Sequence, residues 1–317
     1  MASLLLAWYD AGHRRLPWRE STRLYPVWLS EIMLQQTRVE AVIPYFQRFL
    51  DRFPDVDALA AAVEPDVLAA WSGLGYYSRA RLFHRAVKQV ASAGPPASLS
   101  ELRALPGVGE YTAAAVGSIV LGLPVAAVDG NVLRVVSRVI NSDADISRPA
   151  TRKCFQATAQ QWLDPRRPGD FNQAMMELGA TLCTPRKPAC LRCPITPLCG
   201  AYAAGTQHQL PVKIRRAQPR EVALDVLILL RHSKVYLLPR AAAEKRLAGF
   251  WELPRKNADT DAEAVGKFTH QIVNDRYRVT VWKGRPPAGR LSGGRWFSPA
   301  ELSQTPVTTV TRKALNT

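Results

Sequence analysis

Four of the chain's five cysteines stand close together, at Cys183, Cys190, Cys193 and Cys199 in CTPRKPACLRCPITPLC. The C-x6-C-x2-C-x5-C spacing lets four thiolates converge on one metal centre, and a reducing compartment makes disulfides the poorer reading. Zinc takes four thiolates in a tetrahedron. An iron-sulfur cube also takes four cysteines, and short proline-bearing loops suit its larger girth. Spacing alone leaves both open. Cys154 stands apart from this run and is expected to be a plain core residue.

Residues 105–135, LPGVGEYTAAAVGSIVLGLPVAAVDGNVLRV, carry a second signal. A turn with Gly107 and Gly109 between two helices lets a partner approach the backbone closely and offers free amides at a helix N-terminus, which can hold a phosphate. Alone, the same turn is also an ordinary helical corner. Asp129 stands at the mouth of the next helix, where capping is the plain reading. On that helix Arg134 and Arg138 lie four apart, a pair that could face phosphate but reads first as a solvated face. A third stretch, SEIMLQQT at 30–37, sits in what reads as an amphipathic helix. There Gln35, Gln36 and Thr37 follow one another on the expected wet face, where a purely structural helix more often carries Lys or Glu.

The elements that must position these groups fall into two kinds. From Leu4 to about Ala204 apolar residues recur at helical spacing, punctuated by FPD, SGLG, AGPPAS and LPGVG. Residues 205–219, GTQHQLPVKIRRAQP, read as a linker. Beyond it EVALDVLILL and KVYLLPR form an expected hairpin, YRVTVWKG and GRWFSP later strands, and TTVTRKALN a closing helix. The expected organisation is therefore an all-helical domain over 1–204, a linker, and a small α+β domain over 220–317.

The whole chain, 317 residues with 47% hydrophobic and 21% charged, suits two globular domains. Its 42 Lys and Arg against 26 Asp and Glu give a net charge of +16, the footprint of a protein that neutralises phosphates. Surface solubility or an acidic membrane is the alternative account of that charge. MASLLLAWYD has no basic start and only a short apolar run, so no secretory signal is expected. The apolar stretch Ala113–Val128 is broken by Gly117, Gly122 and Pro124 and falls short of the ~20 residues a membrane span needs. The expectation is a soluble cytoplasmic monomer without membrane association, or a nucleoid-associated one if the source is bacterial.

The cysteine spacing resembles the 4Fe-4S loop of the endonuclease III superfamily of DNA glycosylases, and LPGVG followed by VDGNV resembles its helix-hairpin-helix and catalytic aspartate. Members that cut the strand through an imine carry Lys where this chain has Tyr111, GVGRKT against GVGEYT here. The resemblance therefore implies a glycosylase that stops at base removal. LPWRE, VWLSEIMLQQTRVEAVIPYFQRF and WSGLGYYSRAR resemble the MutY-type adenine DNA glycosylases. The likeness is strong through the helical part and thin in the C-terminal part.

That resemblance implies a 4Fe-4S cluster on Cys183, Cys190, Cys193 and Cys199, with duplex DNA holding adenine opposite 8-oxoguanine or guanine as partner. Releasing adenine needs an acid to protonate the purine and an anion to steady the sugar cation, much as paired carboxylates serve glycoside hydrolysis. Glu31, raised by burial toward ~6, is the implied acid and Asp129 the anion, with Tyr111 and Asn131 beside them. Trp18, Arg19, Leu34 and Gln173 match the adenine pocket, and Gln36 and Tyr76 match side chains that fill the gap left by a flipped base. Gly107 and Gly109 belong to the hairpin.

GFWELPRK resembles a segment of the family's Nudix-like C-terminal domain, whose lesion-reading loop FSH is here Phe268, Thr269 and His270. NADTDAEAVGKF offers only Glu263 where a Nudix hydrolase needs a glutamate-rich magnesium box, which argues against pyrophosphatase activity. Two other readings stand beside adenine excision. One is a thymine or uracil mismatch glycosylase of the same fold. The other is a non-catalytic iron-sulfur protein that binds damaged DNA. Glu31 and Asp129 together favour an enzyme, and Glu31 with a C-terminal reader domain favours adenine.

Overall fold

The computed structural model describes residues 1–214, 220–240, 247, 249–257, 260–272, 274–287, 289 and 291–317. They form two compact units, Met1–Ala61 with Leu82–Ile214, and Ala62–Arg81 with Arg215–Thr317. The division thus differs from one drawn only at 205–219, because the segment 62–81 groups with the C-terminal residues. Side chains show why. Tyr77 packs on Phe250 at 4.2 Å between ring centroids, Arg81 lies over the same ring, and Arg312 donates to Ser72. Residues 215–219 of the expected linker lie outside the described residues.

The first unit is helical, as its periodicity indicates. In chain order come α1 (Ala2–Gly12), α2 (Leu24–Leu34), α3 (Val39–Arg52) and α4 (Val56–Ala61). After α5 (Glu64–Ala70), which belongs to the second unit, come α6 (Ser78–Ala93), α7 (Leu99–Ala104), α8 (Glu110–Leu121) and α9 (Gly130–Val139). The set closes with α10 (Pro149–Trp162), α11 (Pro168–Thr181) and the short α12 (Gly200–Ala203). Prolines at the starts of α10 and α11 suit their first turns, where no amide partner is lost. Among the described residues no helix is long and apolar enough to cross a membrane.

Helix α2 corrects one expectation. It is not amphipathic: every residue from Tyr25 to Met33 is buried, so α2 is a central helix surrounded on all sides. The wet face expected at Gln35–Thr37 does not exist, because the helix ends at Leu34 and the three polar residues form the turn into α3. Gln36 adopts a left-handed conformation there (φ 59). Helix α3 is the amphipathic one, burying Val42, Phe46 and Phe49.

The core of α1, α9, α10 and α11 packs Leu5, Leu6 and Tyr9 against Val132, Val136, Phe155, Met175 and Leu178. The extended segment between α8 and α9 is fixed by side chains rather than by a ladder. Buried Asn172 accepts from Ala127 N (2.9 Å) and donates to Ser118 Oγ and Val125 O (2.8 Å each). Gln160 accepts from Ala126 N at 2.8 Å, and Gln156 donates to Ala126 O at 2.6 Å. Backbone groups of Val125, Ala126 and Ala127 thus gain side-chain partners, and the passage delivers Asp129 to the start of α9.

The second unit is built on a mixed sheet. Its strands are β1 (Arg220–Arg231), β2 (Lys234–Pro239), β3 (Trp251–Glu252), β4 (Ala262–Ile272), β5 (Asp275–Gly284) and β6 (Arg295–Phe297). The order is β3-β2-β1-β5-β4, with β6 on β2. The β1–β2 hairpin forms as expected, closed by His232 and Ser233, both with positive φ. Strands β1 and β5 run parallel and β4 and β5 antiparallel. Helices α13 (Pro299–Gln304), with a Ser298–Glu301 capping box, and α14 (Thr309–Leu315) follow. The core joins Val226, Val235, Leu237, Val279, Val281 and Phe297.

Candidate active site and cysteine pocket

A cavity of about 760 Å³ opens in the first unit. Glu31, from the middle of α2, is 6% exposed and faces it. Asp129, at the N-terminus of α9, borders the same space. Asp129 accepts from Val132 N (2.7 Å) and from Asn131 Nδ2 (2.9 Å), so it caps its helix while presenting its carboxylate. Tyr111, in the first turn of α8, donates to Glu31 Oε2 at 2.8 Å.

The electrostatics follow from burial. Desolvation lifts the Glu31 carboxyl from 4.5 to about 7; the hydrogen bond from Tyr111 opposes the rise, the charge of Asp129 adds to it and that of Arg19 subtracts. Burial also raises the Asp129 carboxyl, against bonds from Val132 and Asn131 and the charge of Arg134. The Tyr111 hydroxyl, buried beside two carboxyls, is raised far enough to stay protonated.

The sequence-derived residues of this unit meet here. Trp18 and Arg19, from a short 3-10 turn (Pro17–Arg19), share the lining with Leu34 and Gln36. Trp18 packs edge-on against Phe46 at 5.4 Å. Gly107, Gly109, Asn131 and Gln173 complete the list. Gln35 Nε2 donates to Thr112 Oγ1 (3.1 Å), tying the turn after α2 to the first turn of α8.

At Gly107 φ is +78, and an added Cβ would lie 2.8 Å from Leu82 Cβ. At Gly109 nothing lies within 4 Å of an added Cβ. The chain therefore needs glycine at the first position for its own fold, while the second leaves the backbone bare.

Two residues of this cavity carry no sequence signal. Glu177, on α11, has a side chain only 2% exposed. It accepts from Arg14 Nε (2.7 Å), Arg14 Nη2 (2.9 Å), Arg14 N (3.3 Å) and Arg19 Nη2 (3.0 Å). Arg19 Nη1 donates back to Arg14 O at 3.1 Å. Burial alone would raise the Glu177 carboxyl, but the two guanidiniums together hold it below the usual carboxylate range.

Four predicted residues lie in the second unit and not in this lining. Tyr76, 48% exposed and at φ 48, stands beneath the Arg79 guanidinium, 5.2 Å from its ring centre. Phe268, Thr269 and His270, expected in a loop, are part of strand β4. The period of two turns Phe268 and His270 toward one face and Thr269, exposed, toward the other. Phe268 packs against the sheet core, and burial with the nearby Lys313 lowers the His270 pKa.

The four clustered cysteines border one pocket, with Val135, Leu178, Leu182 and Ile195 as apolar walls. Among the described residues no group of three or more His, Cys, Asp or Glu side chains is gathered as a single-ion site. The donor set is four soft thiols. Burial raises the thiols of Cys190 and Cys193, and Cys183 and Cys199 nearby add to the rise. Gln207, which also lines the pocket, has a buried Oε1 without a partner among the described residues.

Arg134 and Arg138 do not form a solvated face. They are 8% and 1% exposed. Arg138 donates to Cys183 Sγ (3.3 Å), Thr184 O (2.8 Å), Pro185 O (3.1 Å) and Leu210 O (3.0 Å). Arg134 donates to Asn131 Oδ1, Gly179 O and Cys183 O, each at 2.8 Å. Carbonyl oxygens, invisible to residue type, satisfy both cations. Cys154 is corrected as well: it is exposed on α10, not in the core.

Comparison with known proteins defines the class. Residues 29–162 match the family model of the HhH-GPD superfamily base excision DNA repair protein. An adenine DNA glycosylase of Arabidopsis thaliana is 36% identical over 87% of this chain and 51% of its own length. One of Buchnera aphidicola subsp. Acyrthosiphon pisum (strain APS) is 34% identical over 75% of this chain and 69% of its own. The helical unit is similar to the solved structure of a thermostable thymine-DNA glycosylase, with TM-score 0.59 and 26% identity over 64% of this chain and 95% of that one. The chain belongs to the adenine DNA glycosylase family of the helix-hairpin-helix superfamily. It spans about half the length of the Arabidopsis relative.

Proposed function

We propose that this protein is a monofunctional DNA glycosylase that removes adenine mispaired with 8-oxoguanine or guanine in duplex DNA. The observation that carries the reading is Glu31, buried and facing one cavity with Asp129, its carboxyl raised by that burial to about 7. The cavity, at about 760 Å³, has room for a flipped nucleotide, and a base must leave the stack to be reached.

Glu31 donates its proton to a ring nitrogen of the bound adenine. The bond from the sugar C1′ to the base then breaks, its electron pair leaving with the purine. Asp129 stabilises the oxocarbenium ion that remains. Water adds to C1′ and returns a proton to Glu31, leaving free adenine and an abasic site. Tyr111 holds Glu31 by its hydroxyl. It offers no amine for an imine, so the strand is not cut. Indole and guanidinium faces at Trp18 and Arg19 provide a flat wall for the base.

The four thiols and the buried Arg138 fit a 4Fe-4S cluster: four soft ligands around one pocket, with a cation against one sulfur to balance the charge. Such a cluster supplies a redox-capable, loop-ordering centre and takes no part in the proton steps above. The mixed sheet of the second unit supports the reading of a Nudix-like domain that senses the base opposite adenine, with Phe268, Thr269 and His270 on β4 as candidate contacts. The net charge of +16 suits a duplex partner.

The test is single-turnover reaction of a duplex holding adenine opposite 8-oxoguanine. Strand breaks are expected only after alkali, with Glu31→Gln and Asp129→Asn losing at least about 100-fold in rate. Breakage without alkali rejects the monofunctional reading, and native activity in both variants rejects the residue roles.

A further inference from the structure

We infer that Glu177 is a positioning residue for the reaction: with Arg14 it sequesters the Arg19 guanidinium, so that Arg19 cannot form an ion pair with Glu31. The inference rests on the reading of Glu31 as proton donor.

The geometry is a closed ring. Arg14 grips both oxygens of Glu177 through Nε and Nη2, and Arg19 donates Nη2 to Glu177 Oε2 and Nη1 to Arg14 O. Arg19 also lies over the Tyr9 ring, 5.6 Å from its centre. Its two terminal nitrogens are therefore both committed away from Glu31, although both side chains border the same cavity. Among the described residues Arg19 pairs with Glu177 and not with Glu31.

Among the described residues, the charged and titratable groups that line the cavity with Glu31 are Arg14, Arg19 from the 3-10 turn, Glu110 and Tyr111 from α8, Asp129 at the start of α9, Arg152 from α10 and Glu177 from α11. Of these, Tyr111, Asp129 and Arg19 act on the Glu31 carboxyl. Arg19 is the cation among them with a side chain only 11% exposed. An opposite charge within about 4–6 Å lowers a carboxyl by about one to three pH units. A free Arg19 would thus leave Glu31 ionised at the pH where DNA is repaired, unable to donate. Two cations on one carboxylate also explain the arrangement: Arg14 supplies the geometry that fixes Glu177, and Glu177 spends its charge on Arg19.

The experiment follows the Glu31 side-chain carboxyl by carbon NMR in glutamate-labelled full-length protein across a pH series, beside the pH dependence of single-turnover excision. In Glu177→Gln the Glu31 midpoint is expected to fall by about one unit or more. The alkaline limb of the rate profile is expected to fall with it, so that the variant loses roughly tenfold near pH 8 but little near pH 5.5. Adding Arg19→Gln to that variant is expected to return the midpoint to the native value or above, and Glu177→Asp to keep it near native.

An unchanged or raised midpoint in Glu177→Gln overturns the inference, as does a uniform rate loss at every pH. If Glu177→Gln does not fold by circular dichroism, Arg19→Gln alone decides. Its midpoint is expected to rise by under about half a unit, because Glu177 already offsets most of the Arg19 charge; a rise above about one unit overturns the inference. The NMR midpoint is read without DNA. A native protein that excises nothing would sink the proposed function while leaving the carboxyl titration to judge the sequestration.

Discussion

Glu31 stores instability in the free protein. A carboxyl raised from 4.5 to about 7 is neutral in the fold where the unfolded chain would ionise it. The sign is therefore the reverse of a salt-bridged acid: folding is unpenalised below about pH 4.5, and stability falls as pH rises toward and through about 7. The interval corresponds to roughly 3 kcal/mol at most. Glu31→Gln keeps an oxygen for the Tyr111 hydroxyl and removes the titration. It is expected to melt higher than the native protein at about pH 8, by about 2 to 4 °C per kcal/mol recovered, and to match it at about pH 4. A variant that melts lower at both would contradict the burial account. At this scale the sequence is legible where chemistry is local: the cysteine spacing, and Asp129 in its cap. It is silent where partners are distant. Glu177 meets Arg14 and Arg19 across 163 and 158 residues, and no periodicity marks it. Arg134 and Arg138 mislead for another reason: backbone carbonyls satisfy them, and only the fold shows where those carbonyls lie.

Among elements, the hairpin between α7 and α8 carries two glycines, two residues apart, with different surroundings. Gly107→Ala must enter a left-handed conformation and meets Leu82 at 2.8 Å. It is expected to lose about 2 to 4 kcal/mol in urea unfolding. Gly109→Ala meets nothing in the chain. Its stability is expected to stay within about 0.5 kcal/mol of native, while duplex affinity drops several-fold as the methyl obstructs the approach of phosphate. Equal unfolding midpoints for the two variants would contradict the assignment. Helix content was readable from apolar spacing. Helix α2 is legible as a helix but not as a fully buried one, because the polar residues Gln35, Gln36 and Thr37 that suggest a wet face belong to the turn after it. β4 is hidden for a different reason: its faces do alternate, but the outward positions are Lys267, Thr269 and Gln271 and Gly266 stands among the inward ones, a composition that reads as loop.

For the molecule as a whole, +16 over 317 residues is a statement about salt. If phosphates are its counter-charge, binding to undamaged duplex releases ions. Affinity is then expected to fall by about 100-fold or more between about 50 and about 200 mM salt, with a linear double-logarithmic plot. A flat plot in a fluorescence-anisotropy titration would mean that the basic surface serves something other than DNA.

The grouping of 62–81 with residues 215–317 also reaches beyond the finished fold. Tyr77 is made early in translation, while Phe250, on which its ring rests, is made long after. Until then an aromatic surface stays wet on a half-built chain, a temporary adhesive that chaperones would have reason to cover.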